Sequence, residues 1–600
     1  MDIDFSSPLK SIPFLKEVPA RILRTVGREA KWFSLKAGSP LFLQGETAQD
    51  IHFVLSGSLG TFRPYGRKGK FEFVGHIRPG EPVGEMALFS GRPEHVNAPH
   101  SNSVYALRDS EILSISRKGF DRLVKSRPDI LQRLIRLILL RLRQAGRRSA
   151  RAEPKVFTFV ATSPTMNITY RAHQLKEALA RMGLSAIVVN KDTGGNKPVA
   201  FFDELERTYN IIILTTRLSA DNWYKLAVRQ ADRIWVFGRA NAVPSDPIML
   251  QSDSPAYQFK LVDVIILHYE REKLVTPPHK WRSAASATRI FHWSMHSQAD
   301  CQRMARIISG RSVGLVLSGG GARAYAHIGV VKAMREMNVP IDFVGGTSMG
   351  AMIAACVAMG WSDDEIDWRI RKSFVKSNPL GDYVLPVVSM VRGHRVQKRL
   401  KEHFGDAMIG NLKVPFFCVS SNLTDSEVFI HRSGYVRDAL RASISLPGIL
   451  PPVIEDEDVL VDGAVLNNFP VDIMQGMHRG FIIGSDVSRE SRGFPADEFL
   501  NPPGFFRWVL QHGFHRTPPI VSLLMRAATV KLETFSKREL THICITPNMD
   551  AIQLRDWDVY DEAVERGYEA AIRAIKASPF SMQLKSDPVP LPNMDRSEAF

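Results

Sequence analysis

"IDFVGGTSMGAMIAACVAMG" occupies residues 341–360, and its reading decides how the rest of the chain is parsed. It holds one charge, Asp342, so hydropathy alone would make it a membrane span. Its spacing argues against that. Gly345, Gly346 and Gly350 interrupt it, and each glycine inside a helix costs about 1 kcal/mol. Gly346-Thr347-Ser348-Met349-Gly350 is a G-x-S-x-G pattern, which forms a nucleophile elbow when a strand precedes it and a helix follows. The stretch therefore divides into a buried strand at 341–344, a turn at 345–350 and a buried helix at 351–359. Small residues flank the serine because the turn is sharp. The serine is expected to cap the helix with its Oγ exposed.

Two further glycine-marked sites share this α/β pattern. Upstream, "LVLSGGGARAYAHIGV" places Gly319, Gly320 and Gly321 after an apolar strand and at the start of a helix. Backbone N–H groups there point outward and meet the positive end of the dipole, so the loop suits phosphate or a developing oxyanion. Arg323 adds positive charge. Downstream, "VLVDGAVLNNFP" sets Asp462-Gly463-Ala464 after an apolar run. Each site alone is weak. A glycine loop, a serine elbow and D-G-A in that order form a rare conjunction.

Those three motifs resemble the patatin-like phospholipases over about 313–575, including "RASISLPGILPPV" at 441–453. The resemblance implies an α/β catalytic domain hydrolysing carboxylic esters of phospholipids or lysophospholipids, through a Ser–Asp dyad without histidine. Ser348 would be the nucleophile and Asp462 the proton acceptor. Gly319, Gly320, Gly321, Ala322 and Arg323 would form the oxyanion hole, with Gly346 and Gly350 shaping the elbow and Gly463 and Ala464 completing the aspartate motif. No cofactor or metal is implied. The family glycine after the arginine is Ala324 here, which matters little if that position is helical. An ordinary carboxylate is a weak base, so burial must raise its pKa. A Ser–His–Asp triad is the rival, with His478, His512, His515 and His542 following the aspartate in order. A non-catalytic lipid-binding regulator is a second rival, against which the intact Ser348 and Asp462 weigh.

The N-terminal 130 residues read as β-rich, with runs at 51–55, 71–77, 104–107 and 112–115 separated by glycines, as in a small barrel or jelly roll. "AGSPLFLQGETAQDIHFVLSGSLG" (37–60) and "RPGEPVGEMALFSGRP" (78–93) resemble a cyclic-nucleotide-binding domain. Gly84-Glu85-Met86-Ala87 fits that family's sugar-phosphate loop, making Gly84 and Glu85 the candidate nucleotide contacts. The phosphate-clamping arginine is missing. Its place falls at His100 or nearby, within "HVNAPHSNS" (95–103), where a neutral histidine is a poor substitute for a bidentate guanidinium, and Arg92 could compensate only in a rearranged loop. The resemblance thus predicts the fold and argues against cyclic-nucleotide binding.

Next comes "LQRLIRLILLRLRQAGRRSAR" at 131–151, apolar at helical spacing and rich in arginine. It reads as a helix packing by its apolar stripe, with a membrane-surface helix as rival. Strands at 156–161, 186–189, 211–214, 234–237 and 262–267 alternate with helical segments, predicting a small parallel α/β domain. Its first turn, "TSPTMN", lacks the glycines of a P-loop or dinucleotide fingerprint. The expected layout is a β jelly-roll with trailing basic helix at 1–150, a small α/β domain with a connector (271–310) at 151–310, the patatin-like domain at 311–580 and a disordered tail at 581–600. This order resembles the neuropathy-target-esterase branch, as does "LSADNWYKLAVRQADRIWVFG" at 218–238. Animal members of that branch carry an N-terminal membrane span, and the resemblance here is to the shorter bacterial form.

Bulk properties fit. Six hundred residues require several domains. The formal net charge of +16 suggests an acidic partner. With a patatin-like domain where a DNA-binding helix-turn-helix would sit, that partner reads as an anionic membrane surface and not nucleic acid. Four cysteines without a C-x-x-C pair argue for a reducing compartment, and the acidic N-terminus is unlike a signal peptide. The expectation is a cytoplasmic protein, peripheral at the inner membrane face.

Overall fold

Alternation of apolar and polar residues builds the N-terminal sandwich. In this computed structural model the described residues are 15–65, 70–86, 98–145, 154–248, 261–269, 275–377, 380–385, 387–488, 537–550 and 556–584, with a few isolated positions. The chain divides into two compact units, one ending at Met295 and the other beginning at His296.

The first unit opens with two four-stranded antiparallel sheets. One orders Lys31–Leu35, Ser110–Ser116, Asp50–Ser56 and Pro82–Val83. The other orders Pro40–Phe42, Ser103–Ala106, Leu59–Tyr65 and Lys70–Ile77. Side chains at successive positions face opposite ways. Val54 and Ile112 point between the sheets with Phe42, Leu59 and Val104, whereas Ile51, Phe53, Leu113 and Ile115 point outward to Leu23, Phe120, Leu123 and Leu134 on covering helices. The basic helix spans Asp129–Ala145. Its Ile130 and Leu134 are buried in this cluster, while Ile135 and Leu139 are exposed, so only part of the stripe packs. Arg147, Arg148 and Arg151 lie outside the described residues.

A six-stranded parallel sheet follows, in the order Ala186–Val189, Ile211–Arg217, Val156–Ala161, Arg233–Arg239, Leu261–His268, Arg289–Ser294. The expected connector is a correction. Residues 271–310 supply the sixth strand and the helices Pro278–Ala284 and Gln298–Ile308. Trp281 and Trp293 are buried there, which an apolar count over a stretch rich in serine and charge does not reveal.

The second unit contains an eight-stranded sheet. Its path is Val453–Glu455, Asp458–Asp462, Phe416–Asn422, Phe343–Thr347, Val313–Leu317, Phe481–Ser485, Ile543–Ile545, and Glu427–His431 also pairs with Phe416–Asn422. The five strands from Phe416–Asn422 to Ile543–Ile545 are mutually parallel; Asp458–Asp462 is antiparallel to its neighbour. Register positions the site. Thr347 lies opposite Val419, and Asp462 lies opposite Ser420, so Ser348 and Asp462, 114 apart in sequence, are brought together across adjacent positions of one intervening strand. The elbow helix, Ser348–Ala358, is buried from Met349 onward, which explains its apolar sequence without a membrane. Among the described residues no helix is long and apolar enough to cross one. Ser581–Leu584, at the start of the expected disordered tail, is helical, and the rest of that tail lies outside the described residues.

Candidate active site

Ser348 stands where the strand Phe343–Thr347 stops and the helix begins. Its φ is 53°, left-handed and costly for a residue with a Cβ. The turn at 345–350 is thus shared between elements: strand to Thr347, helix from Ser348. The serine does not cap the helix as expected; Thr347 holds the cap position, without a side-chain cap bond. The Ser348 Oγ instead donates a 2.6 Å hydrogen bond to Asp462 Oδ2. Gly350 permits the turn by close approach, since a Cβ there would lie 2.6 Å from the Leu317 carbonyl oxygen.

Asp462 is buried, and desolvation pushes its carboxyl up to about 6. Bonds from Ser348 and the Ala464 N–H oppose the rise without cancelling it. The Ala464 N–H reaches Oδ1 at 2.8 Å and leaves Oδ2 for the serine. Gly463 is required for packing, because a Cβ would sit 2.9 Å from Thr347 Cγ2 and still nearer the Val419 carbonyl. The D-G-A motif thus has one task per residue: a carboxylate facing Ser348, close approach, carboxylate anchor.

The glycine loop lies against the serine. A Cβ on Gly319 would be 3.2 Å from Ser348 Cβ. Two of the five expected oxyanion donors are committed elsewhere. The Gly319 N–H donates to the Asn468 carbonyl at 3.1 Å, and the Arg323 N–H to the Gly320 carbonyl at 3.2 Å. Among the described residues no acceptor takes the N–H of Gly320, Gly321 or Ala322. The Arg323 guanidinium donates through Nε to the Ile552 carbonyl at 2.7 Å, which braces the loop. Ala324 lies inside the helical turn Gly321–Tyr325, buried, where the family glycine is dispensable.

Several supports carry no motif of their own. Ser443 Oγ accepts the Ser348 N–H at 3.0 Å and donates to the Val419 carbonyl. Thr347 Oγ1 donates to the Asn467 carbonyl, and Asn468 Nδ2 to the Gly319 carbonyl. His327, fully buried, bridges the Ser318 carbonyl at 2.9 Å and Ser485 Oγ at 2.8 Å, and burial lowers its pKa to about 4. Ser443, Asn467 and Asn468 fall inside quoted stretches, but spacing cannot say which main-chain group each holds.

Neither described histidine of the rival triad touches the pair. His478 Nδ1 bonds Ser312 Oγ and the Gly480 N–H, and His542 Nδ1 accepts the Ile482 N–H. Ser312, Gly480 and Ile482 lie at the amino ends of the parallel strands, the edge opposite Ser348. His512 and His515 lie outside the described residues. Among the described residues no cluster suited to a metal occurs.

Residues 315–474 match the model of the family described as patatin-like phospholipase, and 32–127 that of the cyclic nucleotide-binding domain. The chain carries a patatin-like domain of the NTE branch. It is a carboxylic ester hydrolase. An uncharacterised NTE family protein of Mycobacterium tuberculosis is 29% identical over 96% of this chain and 97% of its own length. Lysophospholipase nte1 of Aspergillus niger is 26% identical over 91% of this chain, which spans 42% of that longer protein. Patatin-like phospholipase domain-containing protein 6 of Mus musculus is 26% identical over 90% of this chain and 44% of its own.

In the N-terminal domain, Gly84 follows the strand Pro82–Val83 with φ 86° and Glu85 is buried. A Cβ on Gly84 would meet His100 Cε1 at 3.5 Å. His100 stacks on Phe42 at 3.6 Å between centroids, and burial lowers its pKa. It places a packed ring, its pKa lowered by burial, facing Gly84. Ala87 and Arg92 lie outside the described residues.

Proposed function

We propose that this protein is a serine esterase that cleaves carboxylic esters of phospholipids, with lysophospholipids as preferred substrates, through a Ser348–Asp462 dyad. One observation carries the reading: a backbone-strained serine donates directly to a buried carboxylate whose pKa is raised to about 6, beside N–H groups that have no acceptor among the described residues. A pKa there keeps the base ionised at neutral pH yet basic enough to take a proton.

In the first step Ser348 Oγ attacks the ester carbonyl carbon as its proton passes to Asp462 Oδ2. The oxyanion forms against the Gly320, Gly321 and Ala322 N–H groups. The intermediate collapses, and the departing alcohol takes the proton from Asp462. A water then gives its proton to Asp462 and attacks the acyl carbonyl. Fatty acid leaves, and Ser348 regains its proton. The lysophospholipid preference is supported by the name of the Aspergillus relative.

The test is a lipid panel of wild type against Ser348→Ala, with a fluorophosphonate label on the intact protein. Loss of hydrolysis and of labelling in the variant is expected. Hydrolysis that survives Ser348→Ala would falsify the reading.

A further inference from the structure

An esterase acting on membrane lipids must reach them at a bilayer, and the described residues include no spanning helix. The catalytic unit nevertheless displays an apolar tip. Leu385 is 83% exposed, Val387 92% and Val388 65%. Single exposed apolar residues are ordinary, but three on one short loop are not.

The loop is held, not frayed. Its stem is closed by Val384 N–H to the Met390 carbonyl at 2.9 Å and Arg392 N–H to the Asp382 carbonyl at 3.0 Å. The stem is pinned to residues 448–449 by Met390 N–H to the Gly448 carbonyl and Val391 N–H to the Ile449 carbonyl. That segment leads straight from the site: Ser443 accepts the Ser348 N–H, and the Ser445 carbonyl accepts the Asp462 N–H. The apolar tip and the dyad are therefore fastened to one short piece of chain.

The flank is basic. Asp382 Oδ2 accepts the His394 and Arg395 N–H groups and ties the stem to the start of the helix His394–Phe404. That helix buries Val396, Leu400 and Phe404, one face at helical spacing, and turns Lys398 and Lys401 to solvent. Residues 392–404 hold five lysines and arginines against one acid, Glu402. An apolar tip beside a basic helix is the pattern of interfacial binding: hydrocarbon side chains enter the acyl boundary while cations meet anionic headgroups.

We propose that Leu385, Val387 and Val388, with the basic helix His394–Phe404, dock the catalytic unit onto an anionic bilayer and set the dyad at the lipid surface. This rests on the reading of the protein as a lipid esterase, and the experiment separates the two. Full-length protein is floated with vesicles of phosphatidylcholine alone or mixed with phosphatidylglycerol in equal parts, and hydrolysis is measured on the same vesicles and on a soluble short-chain ester. Wild type is expected to float with the anionic vesicles. Leu385→Asp/Val387→Asp/Val388→Asp should lose flotation and vesicle hydrolysis by about tenfold or more while keeping the soluble-ester rate. Lys398→Glu/Lys401→Glu should weaken flotation on the anionic vesicles only. Should the triple variant fail to fold, Val387→Trp serves instead, its fluorescence shifting to the blue on anionic vesicles.

Unchanged flotation of the triple aspartate variant, or no blue shift, overturns the proposal. So does a triple variant that only changes oligomeric state in size-exclusion chromatography, which would assign the tip to a second copy of this chain. Failure of the esterase reading has another signature: soluble-ester hydrolysis that survives Ser348→Ala.

Discussion

Two glycine-marked loops in this chain share the backbone features of an anion site, and they differ in what surrounds them. In the patatin domain the loop after Val313–Leu317 keeps three N–H groups without a described acceptor and sits against a serine at φ 53°. In the N-terminal domain Gly84 also keeps a positive φ, but the position facing it holds a histidine stacked on Phe42. One loop retains strain and open donors, which are expensive to keep unless used. The other has the positive-φ glycine, but a stacked histidine faces it. A glycine signature reports a backbone shape; the side chain opposite decides whether that shape still binds anything.

The comparison breaks first at the dyad. Ser348→Ala should lower kcat on lipid esters by about 10³-fold or more, measured under saturating substrate. Retention of most of the rate would make the strained elbow a relic as well.

Asp462→Asn should cost a similar factor and reveal itself a second way. The folded-state pKa of about 6 lies above the ordinary 3.8, so the native state holds its proton more tightly than the unfolded state. Stability is then greatest below pH 3.8, falls as pH rises through about 6, and is flat above. A gap of about two units is worth ~3 kcal/mol. The neutral asparagine escapes that loss. Its melting temperature should exceed wild type at pH 8, with the advantage vanishing near pH 4.

Gly319→Ala tests the loop. Its Cβ would lie 2.5 Å from Asn468 Oδ1 and crowd Ser348, so the donors should shift and kcat fall by about 10²-fold. A milder signature comes from pH alone. In wild type kcat/KM should rise with unit slope and level off above pH about 6, as Asp462 ionises. The smallest effect is expected in the N-terminal domain. Titration calorimetry with cyclic AMP or cyclic GMP should give no saturable heat, and His100→Ala should cost about 1 kcal/mol of stability through the lost stack with the esterase rate unchanged.

Much of this was legible in the chain itself. Strands 156–161 and 186–189 were readable to the residue because they are short apolar runs bounded by polar turns. Ser348 and Asp462 were readable because each lies where an apolar run meets a glycine. Other elements were not. The strands Lys31–Leu35 and Leu59–Tyr65 carry too many polar or exposed positions to stand out. The sixth strand at Arg289–Ser294 reads as linker because Arg289, His292 and Ser294 break up its apolar residues, and the partial burial of Arg289 depends on an ion pair with Asp263 that the sequence does not show.

Sequence alone determined which groups exist: a serine in a tight turn, an aspartate after a buried strand, a glycine run able to offer N–H groups, and a histidine in place of an arginine. These follow from local rules, since sterics at a turn and periodicity along a strand act over a few residues. Tertiary structure alone decided which groups meet. Ser348 reaches Asp462 only through the register of two strand pairs, and the pKa of Asp462 rises only because the surrounding sheet and helices exclude water. The Gly319 N–H is withdrawn from the site by Asn468, distant in the chain. Desolvation and hydrogen-bond competition depend on everything nearby in space, and no window of sequence contains that.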